Sequence, residues 1–292
     1  MRIVATMPNR EKTTLRPITA MLLAAGRGER MRPLTDTTPK PLLRVRGKPL
    51  MQWHLEALAR GGFHQVVVNT AWLGEQIETY FTSVFGLQAP SRKREQLLIQ
   101  EQSEIRYSHE GRDFGAALET AGGIARALPL LCPTQACGAD ADVFWVLAGD
   151  VFVPEFEFTQ AAVDRFVASG KLAHLWLVPN PAHNPRGDFG LSPANAGTVA
   201  LALNLPKEDP QPRYTYSTIG LYRRQLFVPP YCDIPVGNPQ GLKAPLAPLL
   251  RAAMDNGLVS AEIYTGAWTD VGTPDRLAQL NGLVHDVGHL LT

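Results

Sequence analysis

Strand-like and helix-like segments alternate along this chain. Residues 65–69 (QVVVN) and 143–147 (VFWVL) are short apolar, largely β-branched or aromatic runs typical of buried parallel strands. Residues 49–60 and Gly74–Phe85 repeat apolar side chains at helical spacing, and the first ends at Gly61 and Gly62. Such alternation predicts an α/β fold with a doubly wound, mostly parallel sheet, which binds ligands beyond the carboxyl ends of its strands.

The segment that follows the first apolar run is suited to polyphosphate binding. Residues 18–24 are apolar and lead directly into Gly26 and Gly28. Glycines allow positive φ and close approach of backbone N–H groups to anionic oxygens. Four cations, which suit phosphate as planar forks or a point charge, follow within the same stretch: Arg27, Arg30, Arg32 and Lys40.

Two common nucleotide motifs do not account for this segment. A dinucleotide fingerprint would place a third glycine at Met31 and continue a helix through Pro33, so it is disfavoured. No G-x-x-x-x-G-K-[ST] string occurs in the chain, which argues against a Walker A nucleotidase. A plain basic surface loop explains the charges but not a glycine pair directly after a buried strand.

Composition excludes a general polyanion or membrane binder. The 28 basic and 27 acidic residues give a net charge of +1, so any anion preference is local and nucleic acid is not expected as a partner. No apolar run is long enough to span a membrane. Three cysteines, Cys132, Cys137 and Cys232, are too few for a disulfide framework and suit the cytoplasm.

Two aspartates have the placement of metal ligands. Asp150 ends the run VFWVLAGD, and Asp270 lies in WTDVGT, at another predicted strand end. Mg²⁺ commonly takes one or two carboxylates together with water and phosphate oxygens. Placement alone is compatible with a Mg²⁺ cofactor held by Asp150 and Asp270, and equally with a turn or helix-capping role for either aspartate. The family pattern given below matches both positions and favours the metal site.

The motif L-A-A-G-x-G-x-R-M-x-P-L-T, followed by T-P-K-P-L, resembles the signature of the sugar-1-phosphate nucleotidylyltransferases. Further segments extend the resemblance over residues 18–283: NTAWLGEQIETYF, LETAGGI, NPRGDFGL and WTDVGTPDRL. They are most similar to the branch that transfers UMP from UTP to N-acetylmuramate α-1-phosphate in peptidoglycan recycling. The resemblance implies a Rossmann-like sheet of the nucleotide-diphospho-sugar transferase type with a smaller sugar-binding lobe.

The resemblance also implies roles for individual residues. Arg30 and Lys40 are expected to be catalytic, by stabilising charge on the phosphates. Asp188, in NPRGDF, matches a family position that is expected to accept hydrogen bonds from the sugar. Lys243, in GLKAPL, is expected from its charge to meet the anionic groups of the sugar, with a solvated surface lysine as the alternative. The expected nucleotide-binding residues are Ala24, Ala25, Gly26, Gly28, Glu29, Arg30, Lys40, Gly111 and Gly122.

Three features depart from a regular member of that family. Ala148 stands where relatives usually have asparagine, so one substrate contact is expected to be lost or moved. Residues 88–104 are charged and are predicted to be a surface insertion, and residues 111–118 a lengthened loop. Residues 1–17 are predicted as an N-terminal extension before one domain, with the nucleotide part at about 18–150 and the sugar part at about 151–292.

Several functions remain open from the sequence. Sister activities use mannose 1-phosphate with GTP, or glucose 1-phosphate with dTTP or UTP. A non-catalytic regulatory subunit that binds nucleotide sugars is a third class, which the joint presence of Arg30, Lys40, Asp150 and Asp270 disfavours. A small-molecule enzyme, monomeric or a small homo-oligomer, is the prediction.

Overall fold

The computed structural model describes residues 18–85, 103–133, 142–193 and 199–282. The predicted extension at 1–17 and nearly all of the predicted insertion at 88–104 lie outside the described residues, as does Cys137. Cys132 and Cys232 are buried free thiols. None of the described helices is long and apolar enough to cross a membrane.

Thirteen strands occur in the described ranges. In chain order they are β1 (Thr19–Leu23), β2 (Arg44–Val45), β3 (Lys48–Pro49), β4 (Gln65–Thr70), β5 (Glu104–His109), β6 (Val143–Ala148), β7 (Val151–Phe152), β8 (Ala173–Val178), β9 (Phe189–Leu191), β10 (Ala202–Leu203), β11 (Arg213–Arg223), β12 (Val259–Ile263) and β13 (Thr269–Asp270).

Eight α-helices connect them within the same ranges. They are α1 (Leu34–Thr37), α2 (Leu50–Arg60), α3 (Gly74–Phe85), α4 (Glu110–Phe114), α5 (Glu119–Leu131), α6 (Gln160–Ser169), α7 (Ala247–Asp255) and α8 (Pro274–Leu280). The strands and helices predicted from residues 49–85 and 143–147 are therefore present, with ends shifted by one residue at most.

A nine-stranded sheet organises the molecule. Strands β6, β1, β4 and β5 are parallel neighbours, and β11 joins β6 in the antiparallel sense. Strand β11 also pairs with β8 and with β9. Strand β8 in turn pairs in parallel with β12, and β9 pairs with β10. The mostly parallel α/β sheet predicted from the sequence is confirmed.

Apolar side chains on both faces of the sheet account for the two helical layers. Met21, Val67 and Phe144 lie in a cluster with α5 and α7 on one face. Their chain neighbours, such as Leu22 and Trp145, lie in a second cluster with α2, α3 and α6 on the other face. Successive side chains of a strand point to opposite faces, so a strand buried on both sides must be continuously apolar.

The parallel register brings three strand ends to one place. Leu23 is paired with Asn69 on one side and with Ala148 on the other. The glycine loop, the end of β4 and Asp150 therefore emerge side by side at the carboxyl edge.

Residues 111–118, expected to form a loop, begin instead within helix α4, since 110–114 complete a helical turn capped by Gly115 at φ 74°.

Candidate active site

A cavity of about 420 Å³ opens at this carboxyl edge. Three segments contribute most of its wall: the glycine loop, the region around Lys40 and the start of α5. The lining residues are Leu23, Ala24, Ala25, Gly26, Gly28, Glu29, Arg30, Met31, Lys40, Pro41, Asn69, Glu110, Ala117, Glu119, Thr120, Ala148, Asp150 and Gly272. This is the size and position expected of a small-molecule site on such a sheet.

The glycine loop is fixed by contacts that a larger residue would disturb. Gly28 has φ 70°, in the left-handed region that favours glycine. A Cβ added there would lie 3.1 Å from Thr35 Cγ2 and 3.3 Å from Lys40 Cβ. The Thr35 hydroxyl donates to the Gly28 carbonyl at 2.9 Å. Backbone and packing together therefore require glycine at this position.

The structure separates the three arginines of the loop. Arg27 lies over the Trp72 ring, with its guanidinium carbon 3.7 Å from the ring centroid, and also pairs with Glu29. Arg32 pairs with Asp36 at 2.8 Å. Arg30 lines the cavity, and none of the described residues forms an ion pair with it. Arg30 is thus the loop arginine best placed to meet a ligand.

Sequence analysis missed the part that Trp72 plays in this arrangement. Its indole N–H donates to the Thr35 carbonyl at 2.8 Å, so it fastens the glycine loop to the segment that follows β4. A tryptophan close behind a strand end, three residues after the predicted end at Asn69, was a sequence signal that pointed to it. Cation–π contact with Arg27 adds to the same fastening.

Lys40 and Asp150 form the central ion pair of the cavity. The Lys40 ammonium donates to Asp150 Oδ2 at 2.6 Å, across 110 residues of sequence. Lys40 is only 7% exposed, whereas the Asp150 side chain is 40% exposed. A nearly buried cation beside an accessible carboxylate holds positive charge where phosphate would lie.

Asp270 lies beside Asp150 through a short strand pair. Asp270 is paired with Val151, and the Val271 amide donates to the Asp150 carbonyl at 3.0 Å. Its carboxylate accepts from Arg276 Nη1 at 2.7 Å. A Cβ on Gly272, which lines the cavity, would lie 2.9 Å from Asp270 Oδ2. The bare glycine therefore leaves the Asp270 carboxylate close to the cavity wall.

Glu110 is a second functional candidate that sequence analysis did not single out. It is fully buried, and its carboxylate accepts from Asn69 Nδ2 and from the Leu118 amide, both at 2.7 Å. Burial raises the pKa of the Glu110 carboxyl, and these hydrogen bonds act in the opposite direction. Asn69 Oδ1 in turn accepts from the Ala24 amide at 2.7 Å.

Two glycines expected to bind nucleotide lie outside the cavity lining. A Cβ on Gly111 would come within 2.6 Å of the Ala71 backbone. A Cβ on Gly122 would lie 2.5 Å from the Leu242 carbonyl oxygen. Close packing of backbone against backbone is thus a sufficient reason for glycine at both positions.

Of the residues expected to meet the sugar, Asp188 directly precedes strand β9 and Lys243 lies in the loop before helix α7, and both are outside the cavity lining. Asp188 Oδ1 accepts from Asn184 Nδ2 at 3.2 Å, and Oδ2 accepts from the Tyr216 amide at 2.8 Å. Lys243 is exposed. Its neighbour Ala244 accepts from the Ala121 amide at 2.9 Å, which fastens the Lys243 segment to the start of α5.

The family of this protein follows from comparison with known proteins. Residues 19–286 match the family model described as nucleotidyl transferase, and the chain belongs to that family. The Rossmann-like sheet agrees with that family, and the protein is a nucleotidyltransferase enzyme.

Two relatives show which nucleotidyltransferases this chain is similar to. The chain is 43% identical to N-acetylmuramate alpha-1-phosphate uridylyltransferase of Neisseria meningitidis serogroup B, over 90% of this chain and 97% of that protein. It is 30% identical to UTP--glucose-1-phosphate uridylyltransferase of Synechocystis, over 91% of this chain and 63% of that protein. The predicted family resemblance is confirmed.

A solved structure gives the same fold. A Bacillus anthracis protein described as a putative glucose-1-phosphate thymidylyltransferase, crystallised with sucrose, superposes with a TM-score of 0.65. The match covers 92% of this chain and 96% of that chain at 18% identity, so it bears on the fold alone.

Proposed function

We propose that this enzyme transfers UMP from UTP to N-acetylmuramate α-1-phosphate, giving UDP-N-acetylmuramate and pyrophosphate. The observation that carries the proposal is the 43% identity to an enzyme of that name over nearly the whole length of both chains. The proposal also places the enzyme in the cytoplasm, with a role in peptidoglycan recycling.

The chemistry needs positioning more than proton transfer. A sugar phosphate already presents an anionic oxygen, so attack on the α-phosphorus of a nucleoside triphosphate requires no general base. It requires two anions held in line while charge builds on the leaving pyrophosphate. The backbone amides around Gly26 and Gly28, together with Arg30, would hold the β- and γ-phosphates.

Lys40 would neutralise the charge that develops near the α-phosphate. Its ammonium is nearly buried, so little water screens it and its electrostatic effect is large. Its present partner, the Asp150 carboxylate, is the more exposed of the two. A phosphate entering the cavity could therefore take the Lys40 ammonium and leave Asp150 free to bind a cation.

The donor chemistry fits Mg²⁺. Asp150 and Asp270 are hard oxygen donors on the paired strands β7 and β13 or directly beside them, and each carboxylate is now held by a protein cation. Mg²⁺ commonly takes only one or two protein carboxylates and completes its coordination with phosphate oxygens and water. When bound, Mg²⁺ would neutralise phosphate charge and orient the two reactants.

The metal assignment is tested by Mn²⁺ binding, measured by electron paramagnetic resonance in the presence of UTP. Asp150→Asn and Asp270→Asn should each weaken Mn²⁺ binding by about tenfold or more, because a neutral amide replaces an anionic ligand. Asp164→Asn, at an exposed aspartate of α6, is the control and should leave the affinity unchanged. Wild-type affinity in both site variants would refute the assignment.

Sugar recognition is assigned to the part of the sheet around β9 and β11. Asp188 and Lys243 remain the proposed contacts, although each Asp188 oxygen already accepts one hydrogen bond from the protein. A carboxylate oxygen has more than one acceptor site, so both oxygens keep capacity for sugar hydroxyls. Lys243 would meet the lactyl carboxylate or the phosphate of the sugar.

Substrate choice is tested by pyrophosphate release with Mg²⁺. UTP, GTP and dTTP are each offered with N-acetylmuramate α-1-phosphate, mannose 1-phosphate and glucose 1-phosphate. Turnover confined to UTP with the muramate is the expected result. Preference for another pair would overturn the substrate assignment but leave the phosphate chemistry standing.

A further inference from the structure

Four groups form a continuous hydrogen-bonded chain in the wall of the cavity, where Asn69 and Glu110 are both lining residues. The Ala24 amide donates to Asn69 Oδ1, Asn69 Nδ2 donates to Glu110 Oε1, and the Leu118 amide donates to Glu110 Oε2. All three distances are 2.7 Å. We call the Asn69 and Glu110 side chains the relay, since they join two backbone segments that are far apart in the sequence.

The two ends of the relay belong to two different segments of the cavity wall. Ala24 begins the glycine loop, and Leu118 immediately precedes Glu119 and Thr120 at the start of α5. Glu110 is fully buried and Asn69 is 3% exposed, so water does not compete for these hydrogen bonds. The relay thus sets how far apart the glycine loop and the α5 wall stand.

A glycine in the middle of α5 makes room for the relay. A Cβ on Gly123 would lie 2.5 Å from Glu110 Oε1 and 3.0 Å from Asn69 Nδ2. Glycine is unfavourable inside a helix, and Gly123 is buried. Space for the two polar side chains explains why this position does not carry alanine.

The hydrogen-bond donors and acceptors of the relay restrict which side chains fit at positions 69 and 110. Both ends are N–H donors, so each end must meet an acceptor. Asparagine supplies one acceptor and one donor, and a carboxylate supplies two acceptors. Asn69 with Glu110 satisfies every group, whereas an amide at both positions leaves two donors facing each other whichever way the amides are turned.

We propose that Asn69 and Glu110 are positioning residues that hold the two walls of the nucleotide cavity at the spacing needed for nucleoside triphosphate binding. The proposal rests on the proposed function for the identity of the ligand. Neither side chain needs to take part in phosphoryl transfer, because their effect on the ligand passes through the Ala24 and Leu118 backbone. Preorganised walls lower the ordering cost of binding.

A reversal of the relay's donor direction tests this role. Asn69→Asp alone places two carboxylates in contact, and Glu110→Gln alone places two amide donors in contact. The double variant Asn69→Asp with Glu110→Gln is complementary again, because the introduced glutamine donates to the introduced aspartate and accepts from the Leu118 amide. Asn204→Asp is the matched control, since Asn204 Nδ2 donates to Asp255 outside the cavity lining.

Nucleotide affinity is measured by titration calorimetry with UTP, GTP and dTTP in turn, and the tightest of the three for wild-type protein is the probe for all variants. Each single variant should weaken binding by about tenfold, and the double variant should recover to within about threefold of wild type. KM for the nucleotide should rise more than kcat falls, since the chemistry itself is not touched. Asn204→Asp should bind as wild type.

Thermal melting separates positioning from a purely structural role. Single variants that are folded, bind nucleotide with wild-type affinity and differ only in melting temperature would overturn the proposal. A double variant no better at binding than the singles would overturn it as well. Tightest wild-type binding to GTP or dTTP would count against UTP as the substrate, while the relay would still be judged by the variants with that nucleotide.

Discussion

Replacement of Lys40 by methionine is expected to remove most of the activity while leaving the fold intact. Methionine keeps the unbranched stem that packs beneath Gly28, where a Cβ added to the glycine would lie 3.3 Å from Lys40 Cβ and 3.4 Å from Lys40 Cδ. It removes the ammonium that donates to Asp150 at 2.6 Å. The variant therefore isolates the charge.

Lys40→Met is expected to lower kcat strongly and to change stability only slightly. Lys40 is 7% exposed, so its charge acts where water is largely absent. Loss of one preorganised electrostatic group in such a site lowers kcat by about 10²- to 10³-fold. Asp150 is 40% exposed and can be solvated once unpaired, so the free energy of unfolding should change by about 1 kcal/mol or less.

The assay is pyrophosphate release at saturating substrates, beside urea denaturation of the same preparations. Lys48→Met is the matched control, because Lys48 also pairs with a carboxylate, Glu56, and lies over the Trp53 ring outside the cavity lining. It should retain wild-type kcat. A Lys40→Met enzyme that is folded and within about threefold of wild-type kcat would refute the electrostatic role.

Two further outcomes are expected. Burial lowers the pKa of His54 to about 4 from 6.5, so the unfolded chain gains a proton that the native chain does not, and stability should fall by roughly 3 kcal/mol as pH drops from 6.5 to 4. His174, whose pKa is also lowered to about 4 by burial, contributes a similar amount, so His54→Gln should remove about half of the combined dependence on pH in urea titrations. An unchanged dependence would contradict this. Gly28→Ala should weaken UTP binding in calorimetry, because the new Cβ would crowd Thr35 and Lys40. Gly170→Ala is the control: it has φ 65° but nothing within 4 Å of the new Cβ, so it should lower stability and leave UTP binding unchanged. Equal UTP affinity in the two variants would contradict the close-packing argument.

Local patterns were enough to predict the scaffold of the site. Hydrophobic periodicity predicted α2, α3, β4 and β6, and the glycine loop followed directly from β1. A strand buried on both faces must be apolar throughout, and this requirement is visible in a short window of sequence. The carboxyl-edge placement of Asp150 then followed from the parallel topology.

Side-chain partners could not be predicted in the same way. Charge and spacing do not distinguish Arg27, Arg30 and Arg32, and only the family resemblance singled out Arg30. In the structure Trp72, Glu29 and Asp36 engage the other two. Which arginine faces the ligand depends on contacts between distant parts of the chain, as between Arg27 and Trp72. No periodicity encodes such contacts.

The relay of Asn69 and Glu110 was missed for a related reason. Each residue ends or follows an ordinary strand, and their interaction across 41 residues depends on the register between β4 and β5. The glycine at 123 carried a signal, since glycine inside a helix needs a reason. Its reason became visible once Glu110 was placed against it.

The identity of the reaction product decides whether this enzyme transfers UMP to N-acetylmuramate α-1-phosphate. The purified enzyme, UTP, N-acetylmuramate α-1-phosphate and Mg²⁺ are incubated together and followed by phosphorus NMR, with mass spectrometry of the sugar product. Equal amounts of UDP-N-acetylmuramate and pyrophosphate are expected, and Lys40→Met should form both about 10²- to 10³-fold more slowly. Absence of that product under conditions where another nucleotide and sugar phosphate are consumed would contradict it.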